Sequence, residues 1–146
     1  MAVDKWSALG TLTTYLSTEL NSLASAANKL GAAIANQTDK NKLAVVELVV
    51  TYGTAPAAGK SVDLYVVFSA DGTNYSDGDD TIDPAITSYV GSFPLRAVTT
   101  AQRIVIANIP LLAPASFKFL VLNEAGQAMA ATGNTLKYGT YNSEIA

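Results

Sequence analysis

The chain has no cysteine and no histidine. Disulfides are therefore excluded, and so are thiolate and imidazole metal sites. Cysteine nucleophiles and every histidine-dependent triad go with them. Carboxylate and hydroxyl chemistry survive this filter. Charge is scarce as well: Asp, Glu, Lys and Arg make up 14% of the 146 residues, against about 25% in an average soluble protein. Two readings of that deficit stand, a surface rich in small Ala, Ser and Thr side chains or an outer surface covered by partner subunits. With a net charge of −3 and no run of Lys and Arg, no nucleic-acid partner is expected. The longest apolar run, LAVVELVV, is interrupted by Glu47 and is far too short to span a bilayer, so no membrane partner is expected either. The start, MAVDKWSALG, lacks the basic and apolar regions of a signal peptide, and synthesis in a cytosol without an export address is the expectation.

What is present divides into two patterns. Hydrophobic residues reach 49%, enough for a substantial core in one domain with an appendage. Over residues 1–36, Trp6, Leu9, Leu12, Leu16, Leu20, Leu23, Leu30 and Ile34 recur at steps of three and four, with Ala27 filling the gap. That spacing predicts one face of a helix over residues 5–30, capped by Asp4 and stopped at Gly31. The opposite face, Thr11, Thr14, Thr18, Asn21, Ser22, Ser25 and Asn28, consists of mediocre helix formers. Such a segment, helical or extended, either folds onto its own domain or serves as an arm on a neighbouring subunit.

After the polar stretch NQTDKNK (residues 36–42) the period changes to two. Leu43–Tyr52, Ser61–Ala70, Ser88–Leu95, Gln102–Ile109, Ser116–Asn123, Ala128–Ala131 and Thr135–Tyr141 read as strands, separated by the turn signals TAPAAG, DGTNYSDGDD, LAPAS, NEAGQ and ATGN. The expected fold is mainly β: an antiparallel sandwich, jelly roll or barrel over residues 37–146, led by the arm or helix of residues 1–36. FKFLVL sets Phe117, Phe119 and Val121 opposite Leu120 and Leu122, and RIVIANIP sets Ile104 and Ile106 opposite Val105 and Ile109. Antiparallel sheets usually keep one face polar, so apolar outer faces call for cover from the leading segment or from other subunits.

No motif carries convincing chemistry. GTAPAAGKS (residues 53–61) has five residues between its glycines, where a phosphate-binding loop needs four and must open a helix. The following SVDLYVVFS has strand periodicity, so the stretch reads as a hairpin connection. DGTNYSDGDDTID carries Asp71, Asp77, Asp79, Asp80 and Asp83. It reads as a solvated loop, with a loose calcium site or a carboxylate pair such as Asp79 and Asp83 as alternatives. No G-x-S-x-G elbow is present. Tyr65, Tyr75, Tyr138 and Tyr141 offer a sugar platform or an interface patch. No catalytic, cofactor or metal residue is singled out.

LYVVFSADGTNYSDG, the G-x-F-x-L-R strand of Gly91 to Arg96, the IP strand end at Ile109 and Pro110, the FKFLVLNEAGQAMAATGNTL hairpin and the closing YGTYN resemble head decoration (auxiliary capsid) proteins of tailed bacteriophages. The likeness covers roughly two-thirds of the chain, and LSTELNSLASAANKLGAAI also looks like the leading segment of such proteins. The resemblance implies a non-catalytic virion protein on the outer capsid surface, a homotrimer bound to major capsid protein. It implies an N-terminal arm reaching neighbouring copies, with Trp6, Leu9, Leu12, Leu16, Leu20 and Leu23 as the expected arm contacts. A carbohydrate-binding or fibre or tail module of a phage virion is the alternative.

Overall fold

The computed structural model describes residues 1–111 and 115–145. Most of the turn expected at LAPAS, namely Leu112, Ala113 and Pro114, lies outside the described residues. Ten strands follow in order: β1 (Asp4–Trp6), β2 (Thr13–Leu16), β3 (Asn28–Leu30), β4 (Leu43–Val50), β5 (Ser61–Phe68), β6 (Tyr89–Pro94), β7 (Gln102–Pro110), β8 (Phe117–Glu124), β9 (Thr135–Tyr141) and β10 (Ser143–Ile145). They form two four-stranded antiparallel sheets, ordered β2-β9-β4-β7 and β3-β8-β5-β6, and a two-stranded β1-β10 ribbon. The sheets pack face to face as a sandwich. Between them lie Val46, Leu48, Val50 and Leu136 from the first sheet and Val62, Leu64, Phe93, Phe117, Phe119 and Val121 from the second.

Period-two patterning accounts for β4 to β9. Ala44, Val46, Leu48 and Val50 alternate inward on β4, and Phe117, Phe119 and Val121 do so on β8. Each fully buried Leu, Val or Phe contributes about 1.5–3 kcal/mol of transfer free energy. The strand expected at Ala128–Ala131 is reduced to one bridge, Tyr52 to Met129. The stretch Gly53 to Ser61 joins β4 in one sheet to β5 in the other, so it is a crossover between sheets and not a hairpin. The same holds for the connection from β8 to β9.

β7 departs from simple alternation. Its register against β4 slips between Ala44 and Val46, so Ala107 and Asn108 stand opposite Val45 alone. Asn108 takes up the bulge at a φ of 56°, a left-handed conformation that Asn tolerates better than most residues. Tyr141 Oη donates to Asn108 Oδ1 at 2.6 Å and accepts from the Asn108 N–H at 3.2 Å. The bulge turns Ile109 inward to join Ile104 and Ile106 on the core side, which corrects the expected opposition of Ile109 to that pair.

The helix expected over residues 5–30 is absent. In its place are β1, β2, β3 and a three-residue 3-10 turn at Thr18–Leu20. β2 edges the first sheet and β3 the second, and Leu16 and Leu20 are 3% and 0% exposed in the core. The Ser, Thr and Asn content explains the outcome: these side chains compete for backbone groups that a helix would use. Extended pairing and buried asparagines satisfy the backbone instead. Asn123, fully buried, donates from Nδ2 to the carbonyls of Leu23, Ala24 and Gln127. Its Oδ1 accepts from Tyr52 Oη at 3.0 Å. Asn134 similarly ties Asn21, Ala130 and Thr51. Tyr15 bridges the sheets, its ring against Phe119 and Tyr138 and its hydroxyl between the Phe119 N–H and the Ala32 carbonyl. Burial pushes that hydroxyl well above its ordinary pKa, so it remains a donor.

Candidate interaction face

The two outer faces of the sandwich are covered by different means. On the second sheet, Tyr65, Val67 and Leu120 form a small outer cluster, with Leu30, Tyr75 and Leu122 packed around it. The chain's own loop, residues 69–88, lies on this cluster. Gly78 has a φ of 138°, and a Cβ on it would meet Pro84 of the same loop at 3.1 Å, so the loop's own fold calls for glycine here; Val67 of the sheet lies in ordinary contact at 3.5 Å. Lys118 Nζ sits 4.0 Å from the Tyr75 ring centroid.

The acidic loop residues hold this cover in place. Asp80 accepts from the Leu30 N–H at 2.8 Å and pairs with Lys29 Nζ at 2.6 Å. Asn28 Nδ2 donates to Asp83 Oδ1 and to the Ile82 carbonyl. Asp71 accepts from the N–H groups of Asn74 and Thr73 and from the Asn74 side chain, which hold its carboxyl far below the usual range. Asp79 is lowered by the Thr81 and Ile82 N–H groups. For Asp80, burial pulls the other way, but the Leu30 N–H and Lys29 prevail. These carboxylates act as turn caps and tethers. Among the described residues no three acids converge where they could hold a metal ion.

The first sheet is covered by residues 6–12. The Ser7 N–H donates to the Asn142 carbonyl at 2.8 Å, and the Asn142 N–H donates to Ser7 Oγ at 2.9 Å. Beyond this anchor Leu9 and Leu12 lie over Gly139, where a Cβ would stand 2.8 Å from Leu9 Cδ1 and 3.1 Å from Leu12 Cδ2. Trp6 packs at a tilt on Tyr141, ring centroids 6.0 Å apart. The cover is partial. Trp6 remains 66% exposed, Leu9 39% and Val105 52%. Between segment and sheet is a cleft of about 220 Å³ lined by Trp6, Ser7, Leu9, Val45, Ala107, Asn108 and Tyr141. The cleft is apolar and walled by Trp6 and Tyr141, and the hydroxyls of Ser7 and Tyr141 at its rim are engaged with Asn142 and Asn108.

The residues expected as arm contacts separate accordingly. Trp6 and Leu9 stand on the open face, and Leu12 covers Gly139 beside them. Leu16 and Leu20 lie in the chain's own core, and Leu23 packs against it. The four tyrosines do not form one platform: Tyr65 and Tyr75 belong to the outer cluster of the second sheet, Tyr138 packs on the core, and Tyr141 is buried under Trp6. Asp79 and Asp83 are engaged in the loop tethers. GTAPAAGKS leads into β5, with no helix N-terminus to face a phosphate. Val45, Ala107 and Asn108 were not marked as interaction residues by sequence reasoning; Val105 was reached only through the double-sided apolar pattern of RIVIANIP. Compared with protein-family models the chain matches none, and no curated protein shows significant similarity to it.

Proposed function

We propose that this chain is a structural protein of a tailed-bacteriophage virion, a decoration protein that binds major capsid subunits and its own neighbours on the outer surface of the head. It works by adhesion, without catalysis or cofactor. The observation that carries this reading is the half-covered outer face of the first sheet, where Trp6, Leu9 and Val105 stay exposed around an apolar cleft. A sandwich that covers the outer cluster of its other sheet with its own loop leaves this cleft for a partner. The low charge and the resemblance of the β-body to decoration proteins point the same way. A standard interface of about 1,600 Å² has a gross hydrophobic term of tens of kcal/mol at most, largely offset by association costs. Repetition over a symmetric shell then multiplies modest contacts.

Imaging of particles assembled with and without the protein tests the reading. Density for the β-body is expected on the outer shell, and the Trp6→Ser/Leu9→Ser double variant is expected to leave most sites empty. Full occupancy by that variant would overturn the role of this face.

A further inference from the structure

β7 closes one side of the first sheet, and among the described residues no strand pairs with its outer edge, although β6 of the second sheet runs close by, a Cβ on Gly91 standing 3.5 Å from Ile106 Cδ1. Exposed edges invite pairing with another chain, and proteins blunt them with short length, bulges, Pro, charge or cover. The other edges of the two sheets follow that rule. β2 and β3 have four and three residues. β6 has six, slips register beside Tyr65, ends on Pro94 and is hooked by Ser92 to Asp63. β7 runs nine residues, against about 5–6 for a common strand. Its own bulge and Pro110 sit at the far end. The run Gln102 to Ile106 before them has one charge, and Glu47 of the same sheet holds it at 2.9 Å. On the outer face Val105 is half exposed, and on the inner face Ile104 and Ile106 are only partly buried although they pack against the core.

We propose that β7 pairs antiparallel with β7 of a second copy about a two-fold axis at Val105, joining the two first sheets into one continuous sheet. The register argues for a second copy as the occupant. A two-fold axis normal to the sheet sets one residue opposite itself and its flanking residues opposite each other. Centred on Val105, it pairs Val105 with Val105 and Ile104 with Ile106, and places Arg103 against the uncharged bulge that begins at Ala107, so no like charges meet. The pairing covers Val105 and the open flanks of Ile104 and Ile106 at once. It specifies the self-contact in the function proposed above and is tested without capsid.

The full chain is expected to sediment as a dimer. Because it lacks cysteine, Val105→Cys introduces a single thiol, and directly opposed strand residues have Cβ atoms about 4.5–5.5 Å apart, within reach of a disulfide after small adjustment. Copper–phenanthroline oxidation should therefore yield a covalent dimer of Val105→Cys but not of Ile86→Cys, a more exposed position elsewhere. Val105→Lys, checked for folding by circular dichroism, should weaken association by about tenfold or more. An equimolar mixture with Val105→Glu should restore it as a heterodimer. The Trp6→Ser/Leu9→Ser variant should remain dimeric, which separates failure of this contact from failure of capsid binding. A monomer at every concentration overturns the proposal. So does a dimer or trimer that is indifferent to Val105→Lys and gives no Val105→Cys cross-link. A chain monomeric alone, whose Val105→Lys variant loses only particle binding, assigns the edge to a capsid strand and overturns it too.

Discussion

The leading 36 residues contain two regions of opposite character. Residues 13–36 are built into the body: they supply an edge strand to each sheet, place Leu16 and Leu20 in the core, and are held by Asn123 and Asn134. Residues 1–12 lie on the outside, paired through β1 with the terminal strand β10, anchored by two hydrogen bonds between Ser7 and Asn142, and resting on the bare backbone of Gly139. Both regions are rich in leucine. Burial, not composition, separates them, and only the first twelve residues have the accessibility that an arm needs.

The largest effect that would break this comparison is on stability. Leu20→Ala should cost about 2–5 kcal/mol, the range for a large-to-small change in a packed core. Leu9→Ala, whose side chain is 39% exposed, should cost less than about 1 kcal/mol. Deleting residues 1–35 should abolish cooperative unfolding, whereas deleting residues 1–11 should leave a folded sandwich. Denaturant titration checks all four. Equal costs for Leu9→Ala and Leu20→Ala would erase the distinction between the two regions.

Next in size is Asn123→Ala. It removes a hydrogen bond from the carbonyls of Leu23, Ala24 and Gln127 and from the Tyr52 hydroxyl in a fully buried site; Leu23 and Ala24 still accept from the Met129 and Ala27 N–H groups, so the Gln127 carbonyl and the Tyr52 hydroxyl are the groups left without a partner. Each buried polar group left unsatisfied costs about 1–3 kcal/mol, and partial hydration brings the expected total to about 3 kcal/mol. Amide exchange should accelerate first at residues 21–27, because Asn123 holds Leu23 and Ala24 directly. A loss confined to residues 1–12 would put the weld in the wrong half.

This division was only partly legible in the sequence. The β-body was readable because alternation is imposed by two packed sheets: Val62, Leu64 and Val66 face one core, and the intervening residues do not. The turn role of Asp71 was readable too, since Asx chemistry is local. The leading segment misled because leucines spaced three and four apart satisfy helical periodicity while serving separate surfaces. Leu9 and Leu12 lie outside over Gly139, and Leu16 and Leu20 lie inside. The Ser, Thr and Asn residues between them were the better guide. As for the interaction face, Trp6 and Leu9 were named from sequence, but the cleft also needs Val45, Ala107, Asn108 and Tyr141. Those converge from three strands, and the bulge that presents Asn108 has no glycine to announce it.

Acid should sharpen the comparison by acting on one region only. β3 holds the loop of residues 69–88 through the Leu30 N–H and Lys29 on Asp80, and Asp71 and Asp79 cap turns within it. All three carboxyls are lowered in the folded chain. Their contribution is therefore complete above the unfolded value of about 3.9 and is lost as pH falls through the lower folded values. Proteolysis by pepsin, compared at pH 4 and pH 2, should show cleavage rising within residues 69–88 at the lower pH, with residues 1–12 changing less. Because these groups are mostly solvent-exposed, the global stability change should be small. Preferential cleavage in residues 1–12 would refute the assignment of the tethers.

Gly139→Ala should have the smallest effect of all. Its added Cβ would stand 2.8 Å from Leu9 Cδ1 and 3.1 Å from Leu12 Cδ2, so something must shift. Both obstacles are the far ends of flexible side chains, and the glycine's φ does not lie in the left-handed region. Alanine also loses less backbone entropy on folding than glycine, a gain of about 0.5–1 kcal/mol that works against the strain. The two terms should nearly cancel, leaving stability within about 0.5 kcal/mol of the parent. The leucine methyl resonances should not cancel: Leu9 and Leu12 should shift, and Leu16 and Leu20 should not. If Gly139→Ala instead costs several kcal/mol, residues 6–12 are packed as rigidly as the core. The outer face would then be sealed rather than held ready for a partner.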